Sequence, residues 1–442
     1  MSREGSLYLV VDTVGAEGPL QDGLSLEPGQ FKKGSAYMTA GSGNLLLHRT
    51  IFDSWQSMTV AIGIALVGYS VMVGIPVIST AWVVKLGFTD VQVGRVAGAD
   101  QAGFALGAVL VSLFVATLNR RILILIAAAV AVAANALCMT FVTYEWTLWL
   151  RLLAGIGSGA CTAVALATLG GTSKPARAFN ILLFAFAFTQ AGELLALPML
   201  SMNGIYLVFI GGYVFSLLFL GWVPKHPVQK GLDVEVDFED GAGEHHKEHL
   251  HVPAYVPWLV LTAVMFTYIN IGAYWTYIEL ASLNSDASPD WVSQLLVYTS
   301  FFSVCGCAVA TVISNRFGLA RPLLVTLVFQ AIIVGMLAGG INNTNIMISM
   351  FSFNFCWIFI DVFQSATVAN VDHSGRFLAL IPSAQGLGNI IGPNLAASIL
   401  AIGLGYSGVF IMCALSSLAA MLVYLFMYLR LKKTIPALAD AS

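Results

Sequence analysis

Charged residues are scarce in this chain: Asp, Glu, Lys and Arg make up 10% of its 442 residues. Soluble domains carry about 25% charged residues, so the low fraction argues against a soluble enzyme, a secreted disulfide scaffold and a disordered chain. The net charge is only -3 and no basic stripe is present, so we expect no nucleic-acid partner. Nucleotide-binding loops, zinc-peptidase patterns and nucleophile elbows are also missing. We therefore expect neither an enzyme nor a bound cofactor.

Cysteine and histidine patterns indicate neither a disulfide framework nor a metal site. The six cysteines lie within apolar runs, so we interpret them as reduced packing residues. Four histidines lie close together in the central loop, where a solvated linker fits better than a metal site without rigid support. The cysteines are Cys138, Cys161, Cys305, Cys307, Cys356 and Cys413, and the histidines are His245, His246, His249 and His251.

Apolar residues, in contrast, make up 58% of the chain, and the mean hydropathy is +0.84. A helix that crosses a bilayer needs about 20 mostly apolar residues, and the chain offers about twelve such segments. We therefore predict an all-α membrane protein with about twelve transmembrane helices. The predicted spans are 58–84, 91–117, 122–143, 146–171, 178–202, 204–222, 255–281, 291–314, 320–340, 345–369, 376–402 and 405–430.

The predicted spans fall into two equal groups that are separated by a polar segment. Residues 55–222 and 253–433 would each form a six-helix bundle, and residues 223–252 would form an acidic, His-rich linker between them. Residues 1–54 are predicted to be a flexible extension, and residues 434–442 a short tail. We expect the extension, the linker and the tail to lie in the cytoplasm.

The orientation in the membrane follows from the Lys and Arg residues, which concentrate on the cytoplasmic side. If both termini are cytoplasmic, every basic residue except Lys85, Arg95 and Arg151 lies on the inner side or in an inner loop. The opposite orientation would place all of these inner residues outside. We therefore expect a multi-pass protein of the cell's inner or plasma membrane, surrounded by lipid, and a monomer.

The two predicted bundles share a sequence plan. Asn119-Arg120, after the second span, recurs as Asn315-Arg316 after the eighth, 196 positions later. The same shift carries Gly192-Glu193 in the fifth span onto Gly388-Asn389 in the eleventh. Membrane transporters are often built from such repeats, with a substrate site near the midplane between them.

Two local motifs resemble those of the major facilitator superfamily, and the resemblance extends over roughly residues 55–433. Asn315-Arg316-Phe317-Gly318, followed by Arg321, is similar to the family's loop signature Asp-Arg-x-Gly-Arg-Arg/Lys, with Asn in place of Asp. The first copy, Asn119-Arg120-Arg121, is shorter and lacks the glycine. The run from Arg151 to Gly159 resembles the family's Arg-x-x-x-Gly-x-Gly pattern, which many members link to proton coupling.

The resemblance implies two pseudo-symmetric six-helix bundles that transport a solute by alternating access. The glycines of the fourth span have a physical reading of their own, because small residues let membrane helices approach closely. The loop arginines fit topology anchors that can cap the carbonyls of the helices they follow, so we do not assign them to a substrate.

Ionisable residues within the spans are costly in lipid and therefore indicate function. Arg151 lies about 8 Å deep from the outer side, and Asp100 and Glu193 each lie about 14 Å deep, so the arginine could reach either acid. One acid would pair with Arg151 while the other accepts a proton. We predict that Glu193 or Asp100 carries the proton, with Arg151 as the competing partner. The alternative is a structural ion pair that only fastens helices together.

Asp361 lies within an otherwise apolar run of the tenth span. With Asn354, Trp357 and Gln364 it forms a polar stripe at three- and four-residue spacing, which in lipid must face protein or water. We predict that the stripe faces a cavity and that Asp361 is a further candidate for proton coupling. The alternative is hydrogen bonding between helices.

Other polar residues of the spans complete the predicted substrate site. Gln385 and Asn389 lie four residues apart in the eleventh span, and Gln190 lies three residues before Glu193. In the seventh span, Asn270 and Tyr274 share a face, where a tyrosine suits a flat amphipathic or aromatic ligand. The alternative for the seventh span is an aromatic belt at the outer interface. The predicted substrate residues are Asn270, Tyr274, Asn354, Trp357, Gln385, Asn389 and Gln190, and Gly272 is predicted to let the seventh helix bend.

Three charged residues near the outer ends of spans receive a simpler interpretation. Arg95 is expected to extend toward the interface, as cations near helix ends usually do. Asp90 and Glu279 are expected to be solvated.

The most consistent hypothesis is a proton-coupled symporter. An acid within the membrane and the lack of an ATP site favour proton coupling, and a buried arginine favours an organic or aromatic carboxylate as the substrate. Uptake is favoured because Ala196-Leu197-Pro198 stands where resembling drug exporters carry a Gly-Pro pair. The alternatives are a proton-linked exporter of amphipathic compounds, and a non-transporting receptor or scaffold that binds partners through its N-terminal extension and His-rich loop.

Overall fold

The computed structural model describes residues 51–115, 117–172, 175–225, 255–313, 320–371, 377 and 380–434, and nearly all of them are helical. The predicted extension, most of the linker with its histidines, and the tail beyond residue 434 lie outside the described residues. The thirteen helices are α1 (Trp55–Val73), α2 (Ile75–Leu86), α3 (Asp90–Ser112), α4 (Arg120–Cys138), α5 (Tyr144–Gly170), α6 (Pro175–Ala196), α7 (Met202–Leu218), α8 (Val256–Leu283), α9 (Pro289–Ile313), α10 (Ala320–Met336), α11 (Asn343–Val371), α12 (Ile381–Ala401) and α13 (Gly405–Thr434).

The helices match the twelve predicted spans, and their ends mostly agree within a few residues. Nine helices of the described chain are long and apolar enough to cross a membrane, and α2 and α7 are shorter apolar helices. The helices α3 and α12 are long but fall outside that set of nine. All six cysteines lie within the described residues and none forms a disulfide bond, as the sequence predicted.

The first predicted span consists of two helices, α1 and α2, which meet at Gly74. The Gly74 N–H still donates to the Ser70 carbonyl at 2.9 Å, but Pro76 lies in the first turn of α2 and has no N–H to continue the ladder. A proline is well tolerated at the start of a helix, so the break falls just before it. The sequence analysis treated 58–84 as one helix and missed this break.

The helices pack as two groups that correspond to the two halves of the sequence. In the first group, α1 to α7, which we call the N-half, α5 packs against α1, α3 and α4. In the second group, α8 to α13, which we call the C-half, α8 packs against α12 and α13, and α11 packs against α9. The two halves meet where α3 contacts α12, α2 contacts α8 and α6 contacts α9. These junctions surround the centre of the molecule.

The contact between α3 and α5 is an approach of backbone to backbone. A Cβ added to Gly155 would meet the Asp100 carbonyl oxygen, and one added to Gly103 would meet the Leu152 carbonyl oxygen, both at impossibly short range. Only glycine permits this spacing. The expectation that the glycines of the fourth span allow close packing is therefore confirmed, and the contact brings Asp100 next to Arg151.

Candidate functional site

A cavity lies where the N-half and C-half meet. The cavity is narrow in this structure, with a volume of about 20 Å³. Its polar lining comes from both halves, because Gln101 belongs to α3 while Trp357 and Asn389 belong to α11 and α12. The lining residues are Met72, Ile75, Ala97, Gln101, Ile271, Gly272, Trp275, Thr276, Trp357, Asn389 and Pro393.

Asp361 lies one helical turn from this cavity along α11 and has two neutral hydrogen-bond donors. The Tyr268 hydroxyl donates to its Oδ1 atom at 3.0 Å, and the Gln385 side-chain amide donates to the same atom at 2.8 Å. Tyr268 and Gln385 lie one turn before Gly272 and Asn389, respectively, which line the cavity. The Trp357 side chain is also within hydrogen-bonding range of the Tyr268 hydroxyl. The Asp361 cluster therefore continues the cavity lining by one turn.

An aromatic wall from the N-half completes this region. Tyr69 of α1 is within electrostatic range of Asp361. Its ring packs against Phe104 of α3 with a centroid distance of 5.5 Å, and against Phe186 of α6 with a distance of 5.8 Å. We call the cavity together with the Asp361 cluster and this wall the central chamber.

Arg151 is fully buried and does not reach the central chamber. Its guanidinium forms an ion pair with Asp100 and donates to the Asn135 side-chain oxygen at 2.8 Å. The pair with Glu193, the other acid that depth alone allowed, is not formed, because α6 is not a main neighbour of α5 whereas α3 packs directly on it. The close contact of α3 and α5 thus fixes the partner.

Glu193 lies instead beside the break between α1 and α2. Its Oε2 atom is 3.1 Å from the position that a Cβ on Gly74 would occupy, and it has no hydrogen-bond partner among the described residues. The Ser70 hydroxyl lies within hydrogen-bonding range of the Glu193 carboxyl group. Gln190, one turn earlier on α6, is almost fully buried, and its side-chain nitrogen also lacks a partner in the described chain.

Three predicted substrate residues lie inside the C-half, away from the chamber. The Asn270 amide donates to Ser417 of α13 at 2.7 Å, and the Tyr274 hydroxyl bonds Ser349 of α11 at 2.6 Å. The Asn354 amide donates to the Met350 carbonyl at 3.1 Å. All three are fully buried, so we do not carry their expected binding role further.

Gly272 lies within α8, which runs without a break from Val256 to Leu283, and its bending role stays a prediction. A Cβ on Gly272 would lie 3.0 Å from Asn389, so this glycine lets α8 approach α12 closely. Of the predicted polar stripe on α11, Trp357 and Asp361 border the chamber. Gln364, like Asn354, bonds within the C-half, where it donates to Thr267 at 2.7 Å.

Two of the three outer charges behave differently from the expectation. Arg95 is not extended toward the interface, because it donates to the Asn394 side chain and to the Ser398 hydroxyl of α12, each at 2.9 Å. Glu279 is 6% exposed and packs toward Thr80 of α2, so it is not solvated. Asp90, which is partly buried, accepts a hydrogen bond from the Tyr406 hydroxyl at 2.6 Å.

Sequence reasoning missed Tyr69, Tyr268 and Gln101. A signal existed for Tyr268, which lies four residues before Gly272 and therefore on the face that packs against α12. No comparable signal marked Tyr69, because an aromatic residue in an apolar span is usually a packing residue.

Of the two loop motifs, only the first copy lies within the described residues. Arg121 donates to the Gly221 carbonyl and, at 2.6 Å, to the Val223 carbonyl, so it caps the end of the N-half's last helix rather than the helix it follows. Arg120 is buried, with its guanidinium 4.9 Å from the centre of the Phe52 ring. Residues 315–318 of the second copy are outside the described chain.

Comparisons with solved structures agree with this architecture. A D-xylose–proton symporter is 16% identical with a TM-score of 0.64, covering 88% of this chain and 99% of that one. The nucleoside transporter NupG is 12% identical with a TM-score of 0.65, covering 84% and 99%. A bacterial homologue of the human lysosomal transporter Spinster, inward-facing and unoccupied, is 14% identical with a TM-score of 0.61, covering 87% and 98%. At such identities the likeness concerns the fold.

Sequence comparison identifies the family. A protein of Escherichia coli (strain K12), named AraJ and proposed to be a transporter, is 23% identical over 337 residues, which covers 72% of this chain and 81% of that protein. The sequence profile of the Major Facilitator Superfamily matches residues 60–393, about three quarters of the chain. The chain therefore belongs to the Major Facilitator Superfamily, and it is a multi-pass membrane transporter rather than an enzyme.

Proposed function

We propose that this transporter moves a small amphipathic organic solute by proton-linked alternating access, and that the solute binds in the central chamber. The observation that carries the proposal is the position of the chamber at the junction of the two halves. A site at that junction can be exposed to either side when the halves rock against each other. The receptor alternative is set aside, because the family consists of transporters.

The chemistry of the chamber favours an amphipathic solute over a carboxylate. The expectation of a carboxylate rested on a free arginine, and Arg151 is occupied by Asp100. The chamber offers neutral hydrogen-bonding groups, such as those of Gln101 and Asn389, beside the flat ring of Trp357. Such a lining binds the flat apolar body of a ligand and fixes its orientation through a few polar contacts.

The proton is proposed to travel on Glu193. Asp100 is engaged with Arg151, and the ion pair is almost completely buried, so it serves as a fastening between α3 and α5. Glu193 has no cationic partner among the described residues, and its Oε2 atom lacks any hydrogen bond there. It also lies against the break between α1 and α2 in the first span. The chain can bend at such a break without losing the hydrogen bonds of a continuous helix. Protonation of Glu193 could therefore change the packing of α1 against α6.

We retain uptake as the proposed direction, on the sequence argument from α6. Where resembling drug exporters carry a Gly-Pro pair, this chain has Ala196-Leu197-Pro198, and α6 simply ends at Ala196 in a short 3-10 turn. The experiment below measures the direction itself.

The test is proton flux in proteoliposomes that contain an internal pH dye. Amphipathic amines, neutral aromatic compounds and aromatic acids are added outside under an inward proton gradient. The wild type should acidify the lumen when its solute is present. Glu193→Gln, which cannot carry a proton, should lower this solute-dependent acidification at least about ten-fold.

The matched control is Glu145→Gln, which removes an exposed carboxylate at the start of α5. It should acidify the lumen at the wild-type rate. Solute movement without proton movement in the wild type would contradict proton coupling. Full proton flux in Glu193→Gln would show that Glu193 does not carry the proton. Proton flux that occurs only under an outward-directed solute gradient would identify an exporter.

A further inference from the structure

Among the described residues, the Asp361 carboxylate of the central chamber has no positive counter-charge. The groups within electrostatic range of Asp361 are three tyrosines, Tyr69, Tyr268 and Tyr424. Two basic residues within the described spans are engaged elsewhere: Arg151 is on Asp100, and Arg95 is on Asn394. A negative charge in a membrane span without a protein cation needs another source of positive charge or a proton.

The hydrogen bonds of Asp361 leave part of its carboxylate available. Both Tyr268 and Gln385 donate to Oδ1, and no hydrogen bond to Oδ2 is formed within the described chain. Asp361 is only partly buried although it lies in the middle of a membrane-spanning helix. Two neutral donors hold the side chain in place while its second oxygen can accept a further partner.

Aromatic rings surround the same carboxylate. Tyr69 lies on the side of the N-half and is held by Phe104 and Phe186. Trp357 lies one turn away on the same helix and borders the cavity. The faces of such rings attract organic cations, and a carboxylate adds a direct charge interaction.

We propose that the central chamber recognises an organic cation with an apolar or aromatic body, whose positive group lies against Asp361. Its body would pack between Tyr69 and Trp357. This inference rests on the proposed function, since it assigns a chemical class to the solute of the same chamber. A carboxylate solute would meet Asp361 as a like charge, which is unfavourable at such short range in a medium of low polarity.

The experiment measures binding to the purified full-length protein with three probes of similar size. Phenyltrimethylammonium carries a permanent charge, tert-butylbenzene is its neutral isostere, and benzoate is the anion. Quenching of tryptophan fluorescence reports occupancy, because Trp275 and Trp357 line the cavity. The ammonium should bind at least about ten-fold more tightly than its isostere, and benzoate should not compete with it.

Two variants assign the charge preference to Asp361. Asp361→Asn keeps the shape of the side chain and should weaken ammonium binding about ten-fold or more, while leaving the isostere unchanged. Asp290→Asn, which alters an exposed carboxylate at the start of α9, should bind all three probes like the wild type. Thermal unfolding of each variant in detergent shows whether it is folded.

The outcomes separate this inference from the proposed function. Equal binding of the ammonium and its isostere, or unchanged ammonium binding in folded Asp361→Asn, would overturn the assignment of an organic cation. Failure of any quaternary ammonium to bind the folded wild type would do the same. Ammonium binding is measured without a proton gradient, so a failure of proton coupling leaves this result intact.

Discussion

Arg151, which is fully buried in the N-half, shows what can and cannot be predicted from the chemistry of a residue. A charge within a span needs a partner, so the sequence correctly indicated that Arg151 pairs with an acid. Depth along the membrane normal could not decide between Asp100 and Glu193, because it does not say where each helix lies within the plane of the membrane. The decision came from the glycines that bring α3 against α5, with Asp100 on the contacting face.

Replacement of Asp100 should show how strongly an unpaired buried charge destabilises the folded protein. Asp100→Asn leaves the Arg151 guanidinium buried without a counter-ion, and we expect a loss of about 3–5 kcal/mol in the free energy of unfolding. Arg151→Gln in the same chain removes the stranded charge and should recover part of that loss. Reversible unfolding in mixed detergent micelles measures both variants.

Asp290→Asn, at an exposed position, is the control and should change the stability by less than about 0.5 kcal/mol. If the effects of Asp100→Asn and Arg151→Gln simply add in the double variant, the two side chains are not coupled, and the ion pair does not fasten the N-half.

The polar residues on α11 also show what a pattern of residues in the sequence cannot predict. Asn354, Trp357, Asp361 and Gln364 recur at helical spacing, and the sequence predicted that all four face a cavity. Helix α11 has several neighbours, and the four side chains do not all face the same one. Asn354 bonds within α11 and Gln364 bonds α8, while Trp357 and Asp361 border the chamber. Spacing identifies a face, and only packing identifies what that face meets.

At the scale of elements, the sequence predicted the helices well because a bilayer requires long apolar runs. The least apolar spans are informative in their own right. Both α3 and α12 lie outside the set of long apolar helices, and they pack against each other where the N-half meets the C-half. A helix that faces protein and water on one side can carry Arg95, Asp100 or Gln385, which a lipid-facing helix could not.

The close contact of α3 and α5 predicts a strong effect of a single methyl group. In Gly155→Ala the new Cβ would lie against the Asp100 carbonyl oxygen and 2.9 Å from the Phe104 nitrogen. Backbone atoms cannot move aside cheaply, so we expect a loss of about 1–3 kcal/mol in the free energy of unfolding, measured in the same micelles.

The matched control is Gly192→Ala, in α6, where a Cβ would have no atom within 4 Å. Alanine there should leave stability unchanged or raise it by about 0.5–1 kcal/mol, because it favours the helix. Equal stability of the two alanine variants would show that α3 and α5 tolerate a wider spacing than the glycines indicate.

At the scale of the whole molecule, the hydrogen bonds between the halves all lie toward one end within the described residues. Arg95 bonds α12, the Tyr277 hydroxyl bonds the Asp90 carbonyl at 2.8 Å, and the Trp275 indole bonds the Val73 carbonyl at 3.2 Å. The orientation predicted from Lys and Arg makes this the outer end. The sequence could not foresee these contacts, since each joins residues far apart in the chain.

These contacts lead us to expect that Arg95 helps to hold the outer end closed. In alternating access they must break whenever that end opens, and the bonds that Arg95 donates are charge-assisted. Arg95→Ala should therefore raise the population that is open at the outer end. Spin labels at Val84→Cys and Ile402→Cys, two exposed positions on opposite halves, report this opening as a longer distance in pulsed electron resonance. Cys305 and Cys307 are replaced by Ser to avoid background labelling.

Lys85→Ala is the control for this measurement, because Lys85 bonds the Leu200 carbonyl within the N-half. It should leave the distance distribution as it is in the wild type, whereas Arg95→Ala should add a longer component. An unchanged distribution in Arg95→Ala would mean that α3 and α12 stay together through apolar packing alone. The opening of the outer end would then depend on the other polar links between the halves in the described chain. These are the bonds of Trp275 and Tyr277, the bond from Tyr406 to Asp90, and the contact of Glu279 with Thr80.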